Sequence, residues 1–173
     1  MEDKMKIYVY ESSILRTKST EVEVVDDELR LILNKMMKVM EEANGIGLAA
    51  NQVGIDKRFF VLDVEGRKIK VINPEILEFG DELVEFEEGC LSIPGIYKNV
   101  TRPEKIHVKY MDENNEIHEE LLDGLLSRAF QHELDHLDGV LFIDKISPLS
   151  KNLIRKKLQL MKKNSIPREF DVE

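Results

Sequence analysis

His132, Glu133 and His136 form a His-Glu-x-x-His stretch, whose imidazoles on a helix lie one turn apart on one face. That spacing lets both rings reach a single metal ion, while Glu133 can lean over the ion without ligating it. A carboxylate in that place suits a general base for a bound water. Two histidines leave a catalytic centre incomplete, because such centres typically combine three protein ligands with one open position. The candidates for the third ligand are Cys90, a distal histidine or a carboxylate. Cys90 is the chain's one thiol and stands between Gly89 and Leu91, at a break in a strand-like region. Taken alone, a single cysteine is more often a small buried hydrophobe. Beside a histidine pair that lacks a partner, the ligand reading gains ground. A five-residue match also arises by chance on solvated helices, but the flanking Leu125, Leu126, Ala129, Phe130, Leu134 and Leu137 argue against that here. They make the helix apolar on several sides, and a buried helix needs a reason to carry His and Glu.

The remaining chain must position this helix. Residues 6–10 alternate weakly, as a short strand does, and 12–23 read as a loop packed on the body. Asp26 or Asp27 caps a helix whose apolar residues, Leu29, Ile32, Leu33, Met36, Met37 and Met40, recur at helical spacing until Asn44-Gly45 ends it. The stretch from Gly45 to Gly54 is dominated by small residues around one amide, Gln52, and on spacing alone reads as a tight connector. Strands are expected at 58–64 and 70–77, with breaks at Glu65-Gly66 and Asn73-Pro74, and again up to Ser92, where Pro94-Gly95 interrupts. Residues 105–111 and 116–122 form a hairpin on which His107 and His118 face solvent. The main helix begins at Asp123-Gly124. A terminal helix over 149–161 turns Leu153, Ile154, Leu158 and Met161 to one side, and 164–173 read as a frayed tail. No repeat or linker divides the sequence, so residues 1–173 are expected to form a single catalytic α+β domain. In it, antiparallel or mixed sheets pack around a buried metal-binding helix, with an N-terminal amphipathic helix and a C-terminal helix.

With 42% hydrophobic and 34% charged residues among 173, the chain has the balance of a soluble globular protein. A net charge of −9 and a pI of about 5.1 argue against a DNA or anionic-membrane binder. The basic run Arg155-Lys156-Lys157 with Lys162-Lys163 is the local exception, and a solvated helix face accounts for it. One cysteine excludes an internal disulfide and fits a reducing compartment. No signal-like or membrane-spanning stretch stands out, so a cytoplasmic location is expected.

Three stretches taken together resemble the peptide deformylase family. They are Gly45 to Gln52 (Gly-φ-Gly-φ-Ala-Ala-x-Gln), Glu88 to Ser92 (Glu-Gly-Cys-φ-Ser) and Gln131 to His136 (Gln-His-Glu-φ-Asp-His), in that order, where φ is an apolar residue. Ile14-Leu15-Arg16 and Asn73-Pro74 also look like family features, and the spacing is similar to that of the compact bacterial or organellar form. The resemblance implies Cys90, His132 and His136 as metal ligands and Glu133 as general acid and base. It gives the side-chain amide of Gln52 and the backbone N–H of Leu91 to the developing oxyanion. The implied ion is one divalent metal per chain, Fe²⁺ natively, with Ni²⁺, Co²⁺ or Zn²⁺ able to substitute. The implied substrates are N-formyl-methionyl nascent peptides. Ile46, Gly47, Gly89, Leu125 and Ala129 would border the bound peptide, although Leu125 and Ala129 also read as core. Glu88 is a candidate to hold a ligand or the loop in place. Two departures from common family variants touch the rim alone: Gly95-Ile96-Tyr97 carries no arginine, and residue 51 is Asn where Pro is frequent. A zinc endopeptidase would also use His-Glu-x-x-His, but would leave Gln52 and Cys90 without a task. A non-catalytic ribosome-associated module would suit the basic C-terminal helix, but not an intact Glu133.

Overall fold

The computed structural model describes residues 4–164 and 166–172. In chain order its elements are β1 (Lys4–Ile7), α1 (Asp27–Glu42), β2 (Gly47–Ala49), β3 (Phe59–Val64), β4 (Arg67–Phe79), β5 (Leu83–Cys90), β6 (Ile93–Pro103), β7 (Ile106–Met111), β8 (Ile117–Leu122), α2 (Gly124–Leu137), α3 (Pro148–Asn164) and β9 (Arg168–Asp171). Short 3-10 turns cover Ser13–Arg16, Ala50–Val53 and Phe142–Asp144. An antiparallel sheet in the order β2-β3-β4-β7-β8 forms the frame, and β5-β6 and β1-β9 are separate antiparallel pairs. The architecture is α+β.

Strand β3 explains why the helices sit where they do. Its sequence, Phe-Phe-Val-Leu-Asp-Val, is apolar on both faces, so both must be covered. Phe59 and Val61 join the core under α1 with Leu33, Met36 and Met40. Phe60, Leu62 and Val64 join a second core with Phe130, Leu134 and Leu137 of α2. The apolar stripe of α1 is therefore core, and Asp26 caps the helix by accepting from Leu29 N–H at 2.9 Å. A third cluster, with Ile93, Ile96, Leu141, Phe142 and Ile154, brings the β5–β6 hairpin against the 3-10 turn that follows α2 and against α3. Enclosed by sheet and hairpin, α2 is buried over most of its length.

Several expectations differ from the structure in instructive ways. The Gly45–Gly54 connector is a short strand followed by a 3-10 turn, which Gly54 ends at a φ of 85°. Asn73-Pro74 does not end β4. The strand runs through it, with Asn73 at φ 50° and a register shift between Ile72 and Glu75 in its pairing with β7. Pro94-Gly95 likewise lies inside β6. On α3, Leu153 is 65% exposed, while Ile154 is the buried residue. The segment 164–173, expected to fray, contributes β9, and Phe170 within it and Val172 just after it are buried with Ile7 in the core under α1. Phe170 pairs with Met5 in the ladder to β1.

If Phe170 anchors the C-terminal strand, Phe170→Ala should lower unfolding free energy by about 3–5 kcal/mol. A urea titration of both proteins measures this, and an unchanged midpoint would place Phe170 outside the core.

Candidate metal centre

Cys90 ends β5, where the register with β6 shifts and the hairpin turns, while His132 and His136 project from α2. Their ligand atoms lie within 4.8 Å of one another. Cys90 Sγ is 3.3 Å from His136 Nε2, and the two imidazole rings are 5.1 Å apart. His132 Nδ1 lies 2.8 Å from Glu88 Oε1, which leaves Nε2 to face the thiol. The cluster has the donor chemistry of a transition-metal site, one soft thiolate and two imidazoles.

Electrostatics point the same way. Burial disfavours a charged His132, yet hydrogen bonds to Cys90 and Glu88 outweigh it and raise its pKa well above the ordinary value. Burial and the neighbouring His132 push His136 the other way, so its ring stays neutral. His132 thus favours positive charge beside the thiol, and a divalent cation is compatible with that preference. Glu133 Oε1 is buried without a hydrogen-bond partner, as befits a site built around something besides protein atoms. The three residues fit a metal.

Glu133 is 4% exposed, and burial raises its pKa to about 7. Gly47 makes room for it: a Cβ on residue 47 would press on Glu133 Oε2 and come within 2.8 Å of its Cδ. Gln52 lies on the 3-10 turn after β2, 1% exposed. Its Oε1 accepts from Ala49 N–H at 2.9 Å, which turns Nε2 towards Ser92 Oγ at 3.1 Å and Cys90 Sγ at 3.6 Å. The amide therefore faces the donor cluster.

Glu88 is the residue whose role the sequence left open. It accepts from Arg102 Nε at 2.6 Å and Nη2 at 3.0 Å, and from Arg128 Nη1 at 2.6 Å, besides its contact with His132. Burial raises its pKa, but the hydrogen bonds from His132 and Arg102 prevail and hold it near 2. Arg102 also donates to Asp135 at 2.8 Å. Sequence reasoning missed Arg102 and Arg128, because isolated arginines in a strand and a helix carry no spacing signal.

A cavity of about 620 Å³ opens onto the centre. Ile46, Gly47, Gln52, Gly89, Cys90, Leu91, Leu125, Ala129, His132 and Glu133 all line it, with Gly95 and Tyr97 from the stretch expected at the rim and with Phe86 and Arg128, which were not foreseen. Arg128 lies over the Phe86 ring, its Cζ 5.7 Å from the centroid. The other histidines lie elsewhere. His107 pairs with Glu119 at 2.9 Å and His118 with Asp112 at 2.6 Å, beside a hairpin turn whose amides Asp112 also accepts.

Comparison with known proteins supplies an independent line. A family model described as polypeptide deformylase matches residues 4–152. The peptide deformylase of Fusobacterium nucleatum is 48% identical over 164 residues, covering 92% of this chain and 94% of that protein. That of Thermotoga maritima is 47% identical over 153 residues, covering 88% and 93%. Among solved structures, a peptide deformylase from Synechococcus elongatus in complex with actinonin superposes with a TM-score of 0.86 at 43% identity, over 90% of this chain and 86% of that one. A Plasmodium falciparum peptide deformylase complex with inhibitor gives 0.87 at 43% identity, over 92% and 100%.

Removing the Glu88 carboxylate strands two buried guanidinium groups, so Glu88→Ala should cost about 3–5 kcal/mol of stability at neutral pH. Because folding lowers the Glu88 pKa from its ordinary 4.5 to about 2, its contribution is present above 4.5 and lost as pH falls towards 2. Urea unfolding at pH 7 and pH 3 should show the gap between wild type and variant narrowing at the lower pH. A constant gap would mean that the loss is one of packing.

Proposed function

The chain belongs to the polypeptide deformylase family, and from that membership we propose that it hydrolyses the N-formyl group of the initiator formyl-methionine on newly made polypeptides, releasing formate and a free α-amine. The observation that carries this reading is a thiol–histidine donor cluster with a buried, high-pKa carboxylate at the floor of a peptide-sized cavity.

Cys90, His132 and His136 are assigned as ligands of one divalent ion, and the ion as Fe²⁺, for which Ni²⁺, Co²⁺ or Zn²⁺ can substitute. When bound, such an ion supplies Lewis acidity and lowers the pKa of a coordinated water from about 15.7 towards about 7. The chain's own residues do the rest. Glu133, poised near neutrality, takes a proton from the attacking water and returns it to the departing amine nitrogen. Its burial favours both halves of that transfer, since neither protonation state is strongly preferred near pH 7. The Gln52 amide, turned towards the ligands by Ala49, donates to the formyl oxygen as charge develops, together with the Leu91 N–H. A single donor of this kind is typically worth about 10²–10³ in turnover.

Two strand edges support an extended substrate. Among the described residues β2 pairs with β3 alone and β5 with β6 alone, and both line the cavity. A peptide laid between them gains backbone hydrogen bonds on either side, with Ile46, Gly47 and Gly89 as its neighbours. Leu125 and Ala129 then face its methionine. No helix among the described residues is long and apolar enough to cross a membrane, and we place the activity in the cytoplasm.

Where the enzyme meets its substrate is a further part of the reading. Helix α3 carries Lys151, Arg155, Lys156, Lys157, Lys162 and Lys163 beside exposed Leu149, Leu153 and Leu160. That mixture suits a ribosomal surface rich in phosphate. Co-sedimentation with ribosomes should occur at low salt and fall steeply as salt rises, and its absence at low salt would remove this contact.

Anaerobically prepared, Fe²⁺-loaded protein should release formate from formyl-Met-Ala-Ser while leaving internal peptide bonds intact. Glu133→Gln should keep the metal and lose about 10²–10⁴ in kcat. Cys90→Ala should lose most bound metal by elemental analysis, and full metal content would remove Cys90 from the ligand set. No formate from the loaded wild type would end the enzymatic reading.

A further inference from the structure

We infer that Arg168, carried by the C-terminal strand, forms with Ile166 an outer subsite that binds a negative charge on the peptide downstream of its methionine. This inference rests on the deformylase reading and adds to it a preference among substrates.

The observations begin with position. Ile166 and Arg168 line the same cavity as Cys90, His132 and Glu133, although they lie more than thirty residues beyond the last of these in sequence. Arg168 is held there by pairing with Ile7 in the β1–β9 ladder, and that ladder is anchored by buried Phe170. The chain leaving β1 is tied in turn to the catalytic loops, through Tyr8 N–H to the Gln52 carbonyl at 2.7 Å and Tyr10 N–H to the Ser92 carbonyl at 2.8 Å. The C-terminal strand is thus fixed relative to the ligands.

Charge supplies the second argument. The cavity wall carries the acids Glu87, Glu88 and Glu133 and the cations Arg128 and Arg168, besides His132. Arg128 is fully engaged, donating to Glu88, to the Val100 carbonyl and to the Val84 carbonyl. Arg168 differs. Among the described residues its guanidinium has no carboxylate partner, and it lies over the Phe170 ring, 4.7 Å from Cζ to the centroid. Stacking on a buried ring orients the group and leaves its N–H donors to solvent. Ile166 beside it is 82% exposed, an apolar side chain at the same mouth. An oriented cation next to an exposed apolar residue suits an acidic side chain or terminal carboxylate on a substrate already held by its backbone.

Steady-state formate release from formyl-Met-Ala-Ser, as the free acid and as its C-terminal amide, tests the inference. Wild type should favour the acid through KM by about two- to five-fold, the worth of a partly exposed ion pair, with kcat unchanged and the preference erased by high salt. Arg168→Gln should give equal KM values for the two peptides, and Arg168→Lys should retain the preference. Formate release from both peptides with equal wild-type KM, or a preference that survives in Arg168→Gln, overturns the subsite while leaving the deformylase reading intact. No formate from either peptide overturns both.

Discussion

The Glu88 carboxylate ties the hairpin to the helix, and the metal centre depends on that tie. Glu88 and Arg102 belong to β5 and β6, while Arg128, His132 and Asp135 belong to α2. Glu88 receives hydrogen bonds from three of these side chains, and Arg102 reaches on to Asp135, so two guanidinium groups and an imidazole gather on two carboxylates. Networks of this kind add little net stability over an apolar replacement, because desolvation offsets most of the attraction. What they give is position. Cys90 lies two residues beyond Glu88, and His136 directly follows Asp135. A rigid tie between those neighbours brings a thiol from one element within 3.3 Å of an imidazole on another. It also fixes the His132 tautomer, since the ring nitrogen facing Glu88 is the one left out of the donor cluster.

A second constraint works through the backbone. Glu133 can sit against β2 because residue 47 has no side chain, and β2 can present Gln52 because a 3-10 turn follows it at once. The amide is then oriented by one hydrogen bond from the same segment, Ala49 N–H to Oε1. Ligands, base and amide therefore come from three elements, each pinned to a different neighbour. The electrostatic consequence is a division of labour between two carboxylates. Glu88, ringed by donors, stays ionised far below neutrality, while Glu133, buried without them, titrates near it.

Chemistry-bearing residues were more legible in the sequence than their surroundings, and the reason is physical. His132, Glu133 and His136 share one helix, so their relation is set by helical period, and the apolar run around them reports burial. The helix α1 and the β7–β8 hairpin follow from equally local signals, a capped stripe and an alternating pair around Asp112 to Asn115. Arg102, Arg128 and the strand β9 were not legible, because each exists through a partner remote in sequence. Residues 168–171 have little strand character of their own, and they become a strand when β1 offers an edge and Phe170 and Val172 find the core under α1. Asn73-Pro74 misled for the opposite reason. A local breaker was read correctly as a break in geometry, but the ladders on either side carry β4 through it.

The same reasoning bears on what the fold leaves unfinished. A buried polar group without a partner costs about 1–3 kcal/mol, and α2 carries two such atoms, Glu133 Oε1 and His136 Nδ1. Strand edges left open are also a liability, and β2 and β5 each leave one beside the cavity. A sequence selected for stability alone would place an apolar residue at 133 and cover those edges. Here an unsatisfied carboxylate oxygen of Glu133 and the open edges of β2 and β5 among the described residues adjoin one donor cluster, with a buried ion-pair network behind them that holds the geometry still. Local instability concentrated in this way marks a surface meant to be completed by something other than the chain. The ligand atoms ask for a cation, and the edges ask for a backbone in extended form. An amide substrate carried on a peptide supplies the second and brings its reactive carbonyl to the first.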